Sequence, residues 1–110
     1  MKIIRTYSRL AKEAGVLLGK EIQVARKEKS WSEQILADRI GISRTTLQKI
    51  EAGDMTVAIG LVLEAAAILG IPLFASESPS LSQSIRSATD KLTLMPKRIR
   101  TKTKKVKDDF

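Results

Sequence analysis

A chain of 110 residues with a net charge of +8, 43% apolar residues and only 4% aromatics can supply one ordinary domain with an extension. It contains neither cysteine nor histidine, which excludes disulfides, thiolate chemistry, imidazole bases and the usual zinc sites together. No Gly-rich phosphate loop or other catalytic signature accompanies the carboxylates, so neither an enzyme nor a bound cofactor or metal is expected.

The charge is uneven. Residues 96–110 hold seven Lys/Arg against Asp108 and Asp109, while the remaining thirteen basic residues face ten acids in residues 1–95. That balance favours a polyanionic partner. Ala, Leu, Ile, Lys, Glu and Arg dominate and strand-favouring residues are sparse, which predicts an all-α fold.

The N-terminus MKIIRTYSRLAK lacks the long apolar stretch of a signal peptide. A first helix is predicted from Thr6 or Ser8 to about Glu28, with Leu10, Ala14, Leu17, Leu18, Ile22 and Ala25 as its apolar stripe. Gly15 and Gly19 weaken it, and a break is expected near them. Trp31 follows a polar turn as a core plug. Ser32 is placed to cap a second helix that runs to about Ile40 and ends at Gly41 in a left-handed conformation.

Ser43 then caps a third helix, Arg44 to Ala52, within SRTTLQKIEAGD. Its first turn is polar (Ser43, Arg44, Thr45, Thr46), and Leu47 and Ile50 are its only large apolar residues. Thr56 is expected to cap a fourth helix, Val57 to Leu69, closed by Gly70. The apolar run 58–75 contains Glu64 and Pro72, so it reads as a buried helix followed by a short strand rather than a membrane span. Ser78 and Pro79 could open a further helix carrying Leu81, Ile85, Ala88 and Leu92 on one face. From Pro96 the chain has no core pattern and reads as a disordered basic tail. The domain plan is thus 1–75, a weakly helical extension 76–95, and the tail 96–110.

Ala37, Gly41, Leu47 and Ile50 form the informative constellation. Two helices joined by so short a turn must cross closely, which calls for a small residue on the first and a residue tolerant of positive φ at the turn. Leu36 and Ile40 complete the wedge. With this spacing and Glu51-Ala52-Gly53 after it, Leu18 to Ile71 resembles the helix-turn-helix family of the lambda and 434 repressors and Cro proteins.

The resemblance implies an all-α, lambda-repressor-like domain that dimerises and reads double-stranded operator DNA in the major groove. Carried over by position, Ser43, Arg44 and Thr45 open the recognition helix and face base edges, with Lys49 one turn later. Arg44 is the main candidate, because a guanidinium can donate twice to guanine O6 and N7. Thr46 and Gln48 are expected at phosphates or in solvent. The family pattern also pairs a basic residue late in the first helix, here Arg26, with the glutamate ending the recognition helix, here Glu51. Helix two commonly starts with Gln beside a phosphate; this chain has Glu33, so Gln34 is expected to substitute.

Within that family, YSRLAKEAG, KSWSEQILADRIGIS, ILGIPLF and the basic tail are similar to HipB-type antitoxins. That likeness implies a cytoplasmic autorepressor whose partners are a HipA-like serine/threonine kinase toxin and a third small component. Two alternatives stand beside it: a protein-docking module that sequesters a kinase, and a phage or restriction-type regulator without a toxin. Ile71, Leu73 and Phe74 are expected to form a strand pairing with its two-fold copy in a homodimer. No membrane role is expected.

Overall fold

A computed structural model describes residues 5–74 and 80–99, and the chain divides into two units between Phe74 and Ala75. In order, the helices among the described residues are α1 (Arg9–Glu28), α2 (Glu33–Ile40), α3 (Arg44–Glu51), α4 (Ile59–Leu69) and α5 (Leu81–Thr93), and none of those residues forms a strand. No helix among them is long and apolar enough to cross a membrane. The tail from residue 100 onward lies outside the described residues.

The first unit holds α1 to α4, with α3 and α4 each packed on both α1 and α2. Its core is Ile22, Leu36, Ala37, Leu47, Ile50, Ala65 and Leu69. Ile22, Leu36 and Leu47 are fully buried, and each such side chain contributes about 1.5–3 kcal/mol. Trp31 is half-buried at the margin of this core rather than plugged into it. The Arg39 guanidinium lies 4.3 Å from its ring centroid and the Lys29 ammonium 5.4 Å from it.

Helix starts and stops follow local chemistry. Ser8, Ser32 and Ser43 each accept a backbone N–H from three residues on, at 3.1–3.2 Å, and so cap α1, α2 and α3. Gly41 ends α2 at φ +88° and donates its N–H to the Ala37 carbonyl at 2.8 Å. A Cβ at Gly41 would meet nothing, so the backbone conformation alone calls for glycine there. The expected cap at Thr56 is not formed. Both the Thr56 N–H (2.8 Å) and its hydroxyl (2.6 Å) donate to Asp54, closing an Asx-turn, and α4 starts later, behind Ala58.

The apolar stripe expected on α1 is half right. Ile22 is in the core and Leu18 and Ala25 pack against it, but Leu10, Ala14 and Leu17 are exposed. The inward face instead runs through Ala11, Gly15, Leu18, Gly19, Ile22, Ala25 and Arg26. Nor does α1 break at its glycines, because they are places of close approach. A Cβ on Gly19 would lie 2.7 Å from the carbonyl oxygens of both Ile50 and Glu51, backbone that cannot swing aside. Gly53, at φ +80°, passes so near α1 that its Cβ would lie 2.8 Å from Val16 Cα. About 1 kcal/mol of lost helix propensity per glycine is outweighed by the 1–3 kcal/mol that forcing these backbones apart would cost.

Arg26 and Glu51 are brought together at this crossing. Arg26 Nε donates to Glu51 Oε2 at 2.7 Å and Nη2 to Oε1 at 3.0 Å, with both side chains almost fully buried. Arg26 Nη1 also donates to the Trp31 carbonyl at 2.9 Å, so one guanidinium joins α1, the turn before α2, and the end of α3. The hydrogen bond to Glu51 raises the Arg26 pKa further above its already high value.

The segment after α4 departs from the expected strand. Ile71, Leu73 and Phe74 take no strand in the single chain, and Phe74 has φ +65°, which is not extended backbone. The second unit contains α5, which begins at Leu81. Ser80 and Gln83 form a reciprocal capping box (3.2 and 3.0 Å), which helps a Ser/Thr-rich sequence start a helix. Its apolar residues Leu81, Ile85 and Leu92 are all exposed.

Arg26→Ala leaves a buried carboxylate without its counter-ion, and the expected loss of stability is about 3 kcal/mol or more, measured by urea denaturation. Backbone amide exchange should accelerate most in α3, whose end Glu51 anchors.

Candidate nucleic-acid interface

α3 has two faces of different chemistry. Leu47, Ile50 and Glu51 are buried and Thr46 is half-buried, whereas Arg44, Thr45, Gln48 and Lys49 are exposed. The exposed set falls at i, i+1, i+4 and i+5, so it shares one side of the helix. Ser43 stands at the head of that side as the N-cap, and its hydroxyl also donates to Thr46 Oγ1 at 3.0 Å. Thr46 is therefore engaged with the cap and turned partly inward. The wedge residues Ala37, Leu47 and Ile50 sit in the core beneath, with Gly41 at the corner. A polar, donor-rich first turn, held rigidly by its apolar back, can displace water from a surface that offers acceptors.

Glu33, the first residue of α2, takes a role that the sequence did not reveal. Its Oε1 accepts from Arg44 Nε at 3.0 Å and from Gln48 Nε2 at 2.9 Å. Gln48 is thus tied across to α2 rather than left free in solvent. Gln34, expected to replace the family's usual phosphate donor, donates one amide N–H to Asp38 Oδ1 at 2.8 Å along its own helix. Nothing in the spacing of Glu33 and Arg44, eleven residues apart, signals the pair. Only the crossing of α2 and α3 puts their first turns side by side.

The charge state of this face follows from its hydrogen bonds. The Glu33 carboxyl lies below its ordinary pKa of 4.5, first because Gln48 donates to it and then because Arg44 does. Asp54 is likewise held below its ordinary value, by the Thr56 hydroxyl first and its backbone N–H second. Among the described residues no group of three Asp/Glu side chains could hold a metal ion.

A carbon-detected NMR titration should place the Glu33 midpoint below 4.5, and Gln48→Ala should move it upward. Because the folded pKa is depressed, the stabilisation from this link is fully present above the unfolded value and is lost as pH falls through the folded one.

The helix-turn-helix family model matches residues 22–75, which span α2, α3, α4 and the second part of α1. Comparison with curated proteins and with solved structures returned no match. Residues 22–75 form a helix-turn-helix domain of the lambda-repressor-like kind.

Proposed function

We propose that the chain is a sequence-specific transcriptional repressor that acts as a homodimer on a palindromic operator, with half-sites about one helical turn apart. The observation that carries this reading is the exposed Arg44, Thr45, Gln48 and Lys49 face of α3, backed by buried Leu47 and Ile50. Arg44 reads guanine, Thr45 offers a hydroxyl or a methyl to a base, and Lys49 supplies a base or phosphate contact. Ser43 sets the helix start close to the DNA. Gln34 and Gln48 lie beside the phosphates, where each amide can still donate its second N–H. Tail residues 96–110 add phosphate contacts that strengthen binding to all sequences alike.

The dimer reading is supported by exposed apolar side chains. Ile59 and Leu63 share the outer side of α4 at i, i+4, and Phe74 is 85% exposed at its exit. Ile71, Leu73 and Phe74 would join a symmetric contact with the second copy. Within this function the specific role is autorepression in a HipA-like toxin–antitoxin operon, supported by the HipB-like segments of the sequence. A kinase-sequestering role is favoured by one observation of its own, the exposed Leu81, Ile85 and Leu92 of α5.

The deciding experiment is binding of the purified chain to DNA from its own promoter against a scrambled duplex. The promoter should bind at least a hundredfold more tightly, and Arg44→Ala should cost about 1–3 kcal/mol of that preference. Equal binding to both duplexes removes the repressor reading. Truncation after Gly70 should shift the chain from dimer to monomer in sedimentation at micromolar concentration, with circular dichroism confirming that it remains folded. A truncated dimer rejects the role given to residues 71–74.

A further inference from the structure

We propose that Glu33 is a specificity-determining positioning residue: it withholds Arg44 from phosphates and presents the outer end of the guanidinium to base edges. This rests on the DNA-binding reading above and adds to it a device for discriminating one DNA from another.

The geometry begins with the donors of Arg44. A guanidinium carries five N–H groups in a planar fork. The Nε–H is given to Glu33 Oε1 at 3.0 Å, and among the described residues no other hydrogen bond of Arg44 is formed. The Nη1 and Nη2 groups remain, and this end-on pair suits guanine N7 and O6. Gln48 donates to the same Oε1 at 2.9 Å, so the carboxylate that aims Arg44 is itself held from a second position on α3. The guanidinium is therefore oriented before any DNA arrives, and less of its rotamer freedom has to be lost on binding.

Charge supplies the second half of the argument. Glu33 places a full negative charge beside the donor-rich turn of α3, with Arg44 in contact and Arg26 acting on it from a greater distance. A phosphate that approaches Arg44 meets that carboxylate as a second anion. A guanine edge is neutral and does not. Non-specific binding is almost wholly a matter of phosphates, whereas specific binding adds base edges, so the penalty falls more heavily on the wrong DNA.

Stability offers no competing explanation for the pair. The Arg44 side chain is 61% exposed and the Glu33 side chain 30%, and ion pairs of that kind contribute little to folding. The buried Arg26–Glu51 pair already fixes α3 to the core.

The test compares the full-length chain with Glu33→Gln and Glu33→Asp on the promoter duplex and on a scrambled duplex, by fluorescence anisotropy across a salt series. Glu33→Gln removes the charge and keeps an acceptor; Glu33→Asp keeps the charge on a shorter arm. Glu33→Gln is expected to tighten scrambled-duplex binding roughly fivefold and to steepen its salt slope by about 0.9, the signature of one extra phosphate contact. Promoter affinity should change by less than about twofold, so that the specificity ratio falls. Glu33→Asp should leave the scrambled-duplex slope as in the parent chain. In an Arg44→Ala background, Glu33→Gln should no longer change the ratio. An unchanged ratio in Glu33→Gln, or an equal loss on both duplexes, overturns the role of Glu33 while leaving promoter recognition intact. A parent chain that does not prefer its promoter overturns the DNA-binding reading, and this inference with it.

Discussion

Arg26 lies near the end of α1 and Glu51 at the end of α3, and their two hydrogen bonds are made where water scarcely reaches. A bidentate contact fixes direction as well as distance, because the planar fork meets the carboxylate in one plane. The third bond of the same guanidinium, to the Trp31 carbonyl, adds the approach to α2. α3 therefore cannot rotate about its axis without stranding a buried charge. Gly19 allows this arrangement, since any side chain there would strike the carbonyl oxygens of Ile50 and Glu51. The pitch of α3 depends on one ion pair and one missing methyl group.

The outward face of α3 is usable because that constraint is met from behind. Leu47 and Ile50 bury their side chains against Leu36, Ala37 and Ile22, which leaves Arg44, Thr45, Gln48 and Lys49 in solvent. The Arg26–Glu51 and Glu33–Arg44 ion pairs do opposite work. Arg26–Glu51 is buried and structural, and costly to break. Glu33–Arg44 is wet and cheap, so it can aim a side chain without competing seriously with a ligand that offers better acceptors. Structure is kept in the core and adjustability at the surface.

Several apolar residues of the single chain are left in water. Ile59 and Leu63 share the outer side of α4, and Leu10 and Leu17 share one side of α1 at about two helical turns. The second unit shows the same condition more strongly, because α5 buries none of its residues and is held as a helix by its caps and local bonds. A helix of that length is marginal by itself in water. These faces gain from any partner that covers them.

Much of this was legible from local chemistry alone. The capping serines, Gly41 at the corner, the crossing set Ala37, Leu47 and Ile50, and the end of α4 at Gly70 act within one or two turns, where residue type settles geometry. The α1 stripe was half right, placing Leu18, Ile22 and Ala25 inward but also Leu10, Ala14 and Leu17, which are exposed. Periodicity counts apolar side chains, so it missed Gly15, Gly19 and Arg26, which lie on the inward face beside Leu18, Ile22 and Ala25, where the two glycines allow close approach. Thr56 was misjudged because Asp54, two residues earlier, draws its N–H and hydroxyl into an Asx-turn, and the chain enters α4 only after Ala58. The strand through Phe74 does not form in one chain, since extended backbone needs a neighbour with which to pair. By itself, the sequence determined the helices, the serine caps of α1 to α3 and the polar first turn of α3. The tertiary structure alone decided that Glu33 meets Arg44 and Gln48, because contacts between first turns of separate helices depend on a crossing geometry that no residue encodes locally.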